Sequence, residues 1–101
     1  YLYHADLFIG LGSGLSWGNW ALNKHTIMIN GFSVNKHEFE KNITKIQNLN
    51  DCNGCWNDKN FMFDAGNWDW CPLHQGTDKQ HICQKSITPK KVYKEMKQYI
   101  F

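Results

Sequence analysis

The chain has 101 residues and a mass of 11.9 kDa, which suffices for one modest domain and excludes a two-domain enzyme. Its 11 basic residues against 9 acidic residues give a net charge of +2, which does not indicate a nucleic-acid-binding surface or a polybasic membrane anchor. No apolar run approaches the roughly 18 residues that a membrane-spanning helix needs, so we expect no membrane span.

The first half of the chain predicts a βαβ unit. Residues 7–10 form an apolar run that indicates a strand buried on both faces. A glycine-rich turn follows, and then Trp17, Trp20 and Ala21 have the spacing of one helix face, which predicts a short helix over residues 14–23. The β-branched run at residues 25–30 predicts a second strand, parallel to the first. The chain opens at Tyr1 as if it joined a fold already begun, and we expect a fragment of a longer protein.

The glycine-rich turn is a candidate anion site. Glycines at positions 12 and 14 allow close approach of a ligand to the backbone, and Ser13 and Ser16 carry hydroxyl groups. A turn between a buried strand and a helix N-terminus presents free amide groups and the positive end of the helix dipole, which favour a phosphate. The run matches neither the dinucleotide fingerprint nor the P-loop. A turn needed only to bring helix and strand together is the alternative.

The second half has less regular structure. Residues 43–49 indicate at most a short strand, and residues 50–85 have no clear period, so we expect a loop there. Such a long loop inside a compact domain requires something other than secondary structure to hold it. The end of the chain predicts a helix over residues 89–100, with Thr88 as the N-cap and Pro89 at the first helical position.

The four cysteines of the chain all lie in the loop-like segment, with the spacing C-x2-C-x15-C-x11-C. They are Cys52, Cys55, Cys71 and Cys83. The two-residue spacing of the first pair is typical of a metal knuckle, and four thiolates suit zinc or iron, with His74 or His81 as a replacement for one cysteine. Two disulfides and a thiol redox pair are the alternatives.

Two further groups of residues stand out near these motifs. Trp56, Trp68 and Trp70 bracket the cysteine segment, and we interpret them as shielding it, with stacking on a base or sugar as the alternative. His37 with Glu38 follows the second predicted strand, at the same sheet edge as the glycine turn. Residues 31–39 are therefore a second candidate ligand loop, although a surface histidine beside a glutamate is commonplace.

Several runs resemble a known family. Residues 5–10, 13–17, 20–22, 31–33 and 38–39 resemble the nucleotide-sugar half of bacterial heptosyltransferases. The run that begins Cys52-Asn53-Gly54-Cys55-Trp56, together with residues 68–72, 76–77 and 86–89, is similar to the autotransporter O-heptosyltransferases, which glycosylate surface adhesins. The likeness covers nearly the whole chain.

The resemblance implies an α/β fold, namely a Rossmann-like βαβ piece of the C-terminal domain of a GT-B glycosyltransferase. The resemblance implies one partial nucleotide-sugar-binding domain at residues 1–101. Its parts are a donor-binding part at 1–49, a four-cysteine metal-binding segment at 50–85 and a C-terminal helix at 86–101. The implied activity is transfer of heptose from ADP-heptose to serine hydroxyls of an autotransporter adhesin. The fragment alone is expected to be inactive.

The resemblance also implies the site residues and the setting. The donor contacts are Gly12, Ser13, Gly14, Leu15 and Ser16, with the last four along the diphosphate. The cysteines at 52, 55, 71 and 83 bind iron, with zinc as the alternative. No residue of this chain matches the family's catalytic base. We expect a cytoplasmic protein whose partners are the donor and the acceptor autotransporter, and a homo-oligomer is compatible with the sequence.

Two other classes of protein account for the same residues. A small non-catalytic metal-binding module, similar to a zinc ribbon or rubredoxin, predicts no affinity for nucleotide sugars. A secreted domain held together by disulfides predicts no metal and no free thiols.

Overall fold

The computed structural model of the protein describes residues 1–33 and 37–100, so Val34, Asn35 and Lys36 of the second candidate ligand loop lie outside the described residues. The described chain contains three strands and three α-helices. They are β1 (Phe8–Gly10), α1 (Gly14–Ala21), β2 (Thr26–Ile29), β3 (Ile43–Ile46), α2 (Ile82–Lys85) and α3 (Pro89–Ile100). Short 3-10 helices lie at Leu2–His4 and Cys55–Asn57.

The strands form one parallel sheet in the order β1-β2-β3. In the register of the sheet, Ile27 of the central strand lies opposite Ile9 of β1 and Thr44 of β3. The predicted βαβ unit is confirmed, and β3 adds the short strand expected after residue 43. Because the strands are parallel, the loops after β1 and β2 leave the sheet at the same edge.

The core lies on the central strand. Ile27 and Met28 are completely buried, and Ile46 of β3 and Phe39 are nearly so. The predicted burial of the first strand on both faces is not found in this part of the protein, because Ile9 of β1 is 38% exposed.

Helix α1 packs on the sheet through polar residues rather than through its tryptophans. Ser16 and Asn19 are completely buried, whereas Trp17 and Trp20 are half-exposed and contact Phe39 with their rings. The side-chain amide of Asn19 donates to the carbonyl oxygen of His25 and to the hydroxyl of Thr26, at 3.0 and 2.9 Å. These bonds satisfy backbone and side-chain oxygens at the start of β2, which explains why a polar residue occupies the buried face.

The C-terminal helix α3 occupies the range predicted for it. The Thr88 hydroxyl accepts a hydrogen bond from the Lys91 backbone N–H at 3.3 Å, so the predicted N-cap is confirmed. The Lys91 ammonium donates to the carbonyl oxygen of Gln47 at 2.8 Å, which ties the helix to the chain after β3. None of the helices in the described ranges is long and apolar enough to cross a bilayer.

The cysteine segment is attached to the sheet by backbone hydrogen bonds. The Gly54 amide donates to the carbonyl oxygen of Gly31 at 2.9 Å, and the Trp56 amide donates to that of Phe32 at 3.1 Å. The segment contains mostly turns, as expected, but also one turn of 3-10 helix and the short helix α2, which the sequence analysis missed. Neither is long enough to produce a periodic apolar pattern.

Candidate functional site

The predicted anion-binding turn lies between β1 and α1, with Ser13 as the N-cap of the helix. Ser13 and Ser16 form a capping box, in which the Ser16 amide donates to Ser13 Oγ and the Ser13 amide donates to Ser16 Oγ at 3.0 Å. The Ser16 hydroxyl donates to the Ser13 carbonyl oxygen at 2.7 Å, and Ser16 is completely buried. Ser16 therefore shapes the turn from the inside.

The groups of this turn that can face a ligand are backbone amides. Gly14 and Leu15 are the first two residues of α1, where an amide N–H has no acceptor inside the helix. A Cβ atom built on Gly14 would meet no other atom within 4 Å, so the space above this residue is open. Open space next to unpaired amides at the positive end of a helix is suited to a negatively charged ligand.

The loop after β2 leaves the sheet at the same edge as the glycine-rich turn. Asn30 begins it with an Asx turn, in which its side-chain oxygen accepts from the backbone amides of Phe32 and Ser33 at 3.2 and 3.1 Å. The Ser33 hydroxyl then donates to Glu38 Oε1 at 3.1 Å. The sequence analysis did not single out Asn30 or Ser33, although an asparagine directly after a β-branched strand is typical of such a turn.

A cavity of about 560 Å³ lies between this sheet edge and the cysteine segment. Gly12, Ser33 and Glu38 line it on the sheet side, whereas Trp56 and Trp68 come from the cysteine segment. Of the five predicted donor-contact residues, Gly12 alone is among the lining residues of this cavity. The volume and the mixed aromatic and polar lining are those of a small-molecule site.

Aromatic rings form the wall of the cavity on the side of the cysteines. The rings of Phe32 and Trp56 stack with centroids 5.4 Å apart, and Phe63 meets Trp70 edge-on at 5.1 Å. Trp70 is buried, so the predicted shielding is confirmed for this ring. It is wrong for Trp68, which is 97% exposed.

His37, the other residue predicted in the second candidate ligand loop, is exposed and lies outside the lining of the cavity. Its ring meets Trp56 edge-on, with centroids 4.7 Å apart, and its Nδ1 atom lies 3.3 Å from the side-chain nitrogen of Asn57. His37 thus supports the aromatic wall from outside.

The four cysteines come together although 31 positions separate Cys52 from Cys83 in the chain. All four line one small apolar cavity of about 30 Å³, and all four are free thiols. Free thiols at all four positions argue against the disulfide interpretation of their spacing. His81 lines the same cavity, and its backbone amide donates to Cys71 Sγ at 3.4 Å.

The electrostatics of this thiol cluster disfavour free thiolates. Burial, followed by repulsion from the other three cysteines, raises the pKa of Cys83 to about 11. Burial also raises the pKa of Cys55, with smaller contributions from Cys71 and Cys52. A redox-active thiol has a lowered pKa, and the pKa of Cys55 is shifted the other way. A bound cation would reverse these shifts, because it stabilises the thiolate form.

As the side chains stand, no three His, Cys, Asp or Glu residues in the described ranges form a ready set of metal ligands. The donor set itself, four sulfur atoms around one small cavity, fits a thiophilic metal such as iron or zinc.

The two cavities share part of their walls. Phe32, Trp70, His81 and Cys83 line both of them. In addition, Trp56 directly follows Cys55, and Trp70 directly precedes Cys71. The positions of the thiols therefore help to determine the shape of the larger cavity.

Comparison with known proteins identifies relatives of the chain. No family model matches the chain. The autotransporter heptosyltransferase Aah of Escherichia coli is 45% identical over 91 residues, which are 90% of this chain and 23% of that protein. The chain is homologous to a segment of the autotransporter heptosyltransferases. The resemblance predicted from the sequence is thus confirmed, and the chain spans less than a quarter of the relative's length.

Solved structures agree with this assignment. The iron-containing dodecameric glycosyltransferase TibC of enterotoxigenic E. coli H10407 superimposes with a TM-score of 0.90 at 40% identity, over 97% of this chain and 26% of TibC. A second structure, of TibC in complex with ADP-D-beta-D-heptose, gives a TM-score of 0.88 at 40% identity, over 97% of this chain and 25% of that one. The fold is therefore that of a piece of a glycosyltransferase, which argues against a free-standing zinc-ribbon or rubredoxin-like module.

One relative limits what similarity in this segment can establish. The inactive autotransporter heptosyltransferase BimC of Burkholderia thailandensis is 34% identical over 92 residues, which are 91% of this chain and 22% of that protein. A chain of this kind can therefore occur in a protein without transferase activity.

Proposed function

We propose that this chain is the donor-holding part of an autotransporter heptosyltransferase, with ADP-heptose as the donor and serine hydroxyls of an autotransporter adhesin as the acceptor. The observation that carries the proposal is the 40% identity, over 97% of the chain, to a glycosyltransferase in complex with ADP-D-beta-D-heptose. The chain is assigned to the C-terminal domain of a GT-B enzyme, with residues 1–49 holding the donor, residues 50–85 holding the metal and residues 86–101 as the C-terminal part that contains α3.

In this proposal the glycine turn holds the donor diphosphate. The amides of Gly14 and Leu15 and the dipole of α1 stabilise its negative charge, which grows as the sugar leaves. The capping box between Ser13 and Ser16 keeps these amides oriented before the donor arrives. Gly12 contributes to this site as a residue that lines the larger cavity. No acid or base is assigned among the residues of this chain, so the general base belongs to another part of the enzyme.

The metal of this proposal is iron, with zinc as the weaker alternative. Cys52, Cys55, Cys71 and Cys83 would hold it, because they are the sulfur donors around the small cavity. Bound there, the metal cross-links the cysteine segment and offsets the repulsion between thiolates. The similar glycosyltransferase TibC is iron-containing, which supports the choice of metal. A thiolate site also favours a reducing compartment, so we assign the protein to the cytoplasm.

The assembly of the protein is also part of the proposal. TibC is dodecameric, and we assign a homo-oligomer to the protein that carries this chain. Half-exposed apolar side chains on α1, such as Trp17 and Trp20, are compatible with further contacts of this helix.

Titration of ADP-heptose into the full-length natural protein, followed by calorimetry, tests the donor assignment. Gly14→Val adds a side chain in open space, so it should leave the fold intact and block the ligand. Gly18→Ala is the matched variant on the same helix, because its new Cβ makes only ordinary contact, at 3.5 Å, with Leu2. We expect binding for the natural protein and for Gly18→Ala, and at least tenfold weaker binding for Gly14→Val. Absence of binding to the natural protein would refute the donor assignment.

Metal content by mass spectrometry on freshly purified protein tests the cysteine assignment. We expect about one iron per chain, its loss in Cys83→Ser and its retention in His74→Ala. Equal iron content in Cys83→Ser and the natural protein would contradict the assignment. Zinc in place of iron would change the assigned metal and leave the assigned ligands as they are.

A further inference from the structure

The larger cavity contains a buried carboxylate with an unused oxygen. Glu38 is 8% exposed and is one of the residues that line the cavity. Its Oε1 atom accepts a hydrogen bond from the Ser33 hydroxyl, whereas Oε2 is buried and has no hydrogen-bond partner among the described residues. A buried acceptor without a donor costs free energy, so such an atom in a cavity indicates a donor that is supplied from elsewhere.

The position of this carboxylate depends on the glycine at position 12. A Cβ atom on Gly12 would lie 2.6 Å from Glu38 Oε1 and 3.4 Å from its carboxyl carbon. Any side chain at position 12 would therefore displace the carboxylate. Position 12, in the loop after β1, has no side chain. The carboxylate of Glu38, in the loop after β2, occupies the space that a side chain would take.

The chemistry of the group restricts what it can bind. An ionised carboxylate only accepts hydrogen bonds, and its negative charge repels phosphate. Glu38 also interacts electrostatically with Lys45 of β3. ADP-heptose offers two kinds of hydrogen-bond donor that a carboxylate can hold: the hydroxyls of its two sugar rings, which are the more numerous, and the amino group of its adenine.

We propose that Glu38, positioned by Gly12 and Ser33, binds a sugar hydroxyl of the nucleotide-sugar donor in this cavity. The proposal rests on the proposed function, and it adds a residue that selects the sugar part of the donor rather than its phosphates. The ribose and the transferred heptose both carry such hydroxyls, and the two sources are separated by the experiment.

The experiment measures the dissociation constants of ADP, inosine diphosphate (IDP) and ADP-heptose for the full-length natural protein by calorimetry. Glu38→Gln keeps the shape of the side chain and removes its charge, and we expect at least tenfold weaker binding. Glu40→Gln is the matched variant, because Glu40 is exposed and also interacts electrostatically with Lys45. We expect this control to bind as the natural protein does. A loss for ADP, ADP-heptose and IDP alike assigns the ribose, because IDP lacks the amino group of adenine. A loss for ADP-heptose alone assigns the heptose, and a loss for ADP and ADP-heptose but not for IDP would overturn the proposal.

A second variant tests the role of the missing side chain at position 12. Gly12→Ala should displace the carboxylate and weaken binding, and its effect should be smaller in a Glu38→Gln background than in the natural protein. Unchanged affinity in both Glu38→Gln and Gly12→Ala would overturn the inference, while the Gly14→Val result would still decide the donor assignment. Absence of any binding to the natural protein would overturn both.

Discussion

The hydroxyl oxygens of Thr44 and Tyr99 lie 2.7 Å apart, which joins the last strand of the sheet to the C-terminal helix. The Thr44 oxygen also lies 2.8 Å from His25 Nε2, and the ring of His25 stacks on that of Tyr99 with centroids 4.1 Å apart. Three residues from three separate parts of the chain thus form one polar contact. This contact fixes α3 on the sheet at the end opposite the candidate site.

Removal of the Tyr99 hydroxyl tests the contribution of this contact to stability. Tyr99→Phe keeps the stacked ring and loses the hydrogen bond, so we expect the free energy of unfolding to fall by about 1 kcal/mol. Tyr93→Phe is the matched substitution on the same helix, where the tyrosine is 50% exposed, and it should have little effect. Equal stability of the two variants in urea unfolding would contradict the assigned role of Tyr99.

The same contact predicts a dependence of stability on pH. Burial lowers the pKa of His25 below its usual value of 6.5, so the folded protein favours the neutral ring. The contribution of His25 to the stability of the folded protein is therefore fully present above pH 6.5 and is lost as the pH falls through the lowered pKa. We expect the unfolding midpoint to decrease between about pH 7.5 and 5, and less steeply in His25→Gln. Identical slopes for both proteins would count against this origin.

Close packing at Gly31 predicts a large effect of a small substitution. A Cβ atom at this position would lie 2.6 Å from Cys83 Cβ and 2.8 Å from the Cys83 carbonyl oxygen. Backbone would have to move, so Gly31→Ala should destabilise the protein by about 1–3 kcal/mol. Gly14→Ala, where a Cβ meets nothing within 4 Å, is the comparison. Thermal unfolding of the two variants measures the difference, and comparable melting temperatures would show that the segment yields easily.

Loss of the proposed metal should weaken binding of the proposed donor, although the two would not be in contact. Because Phe32, Trp70 and Cys83 line both cavities, a change in the thiol cluster moves the wall of the larger one. We expect a chelator to shift the tryptophan emission and to weaken ADP-heptose binding several-fold, with recovery after iron is restored. Unaltered affinity in a preparation shown to be metal-free would mean that the wall keeps its shape without the metal.

The sequence predicted the elements whose signals are local. The βαβ unit and α3 follow from apolar spacing, from glycines in the turn and from the Thr88-Pro89 start of the helix, and the structure has them within a few residues. Burial was harder to predict. The tryptophans of α1 have the spacing of a core face, yet the buried residue is Asn19, because the start of β2 needs its hydrogen bonds.

The candidate site was predictable in part for the same reason. The glycine turn and the cysteine spacing are visible as patterns along the chain. The relation between Gly12 and Glu38 is not, since the two residues are brought together only by the parallel arrangement of β1 and β2. The shared wall of the two cavities likewise depends on contacts between distant segments.

The shared wall has a consequence for attempts to change the sugar part of the proposed donor. Phe32 and Trp70 are natural positions to vary in a library, since they face the ligand cavity, but each also faces the thiols. A variant selected for a new sugar could owe its phenotype to a different metal occupancy. A library at Phe63, which lines the larger cavity and not the thiol cavity and is not next to a cysteine in the chain, separates ligand recognition from the proposed metal binding.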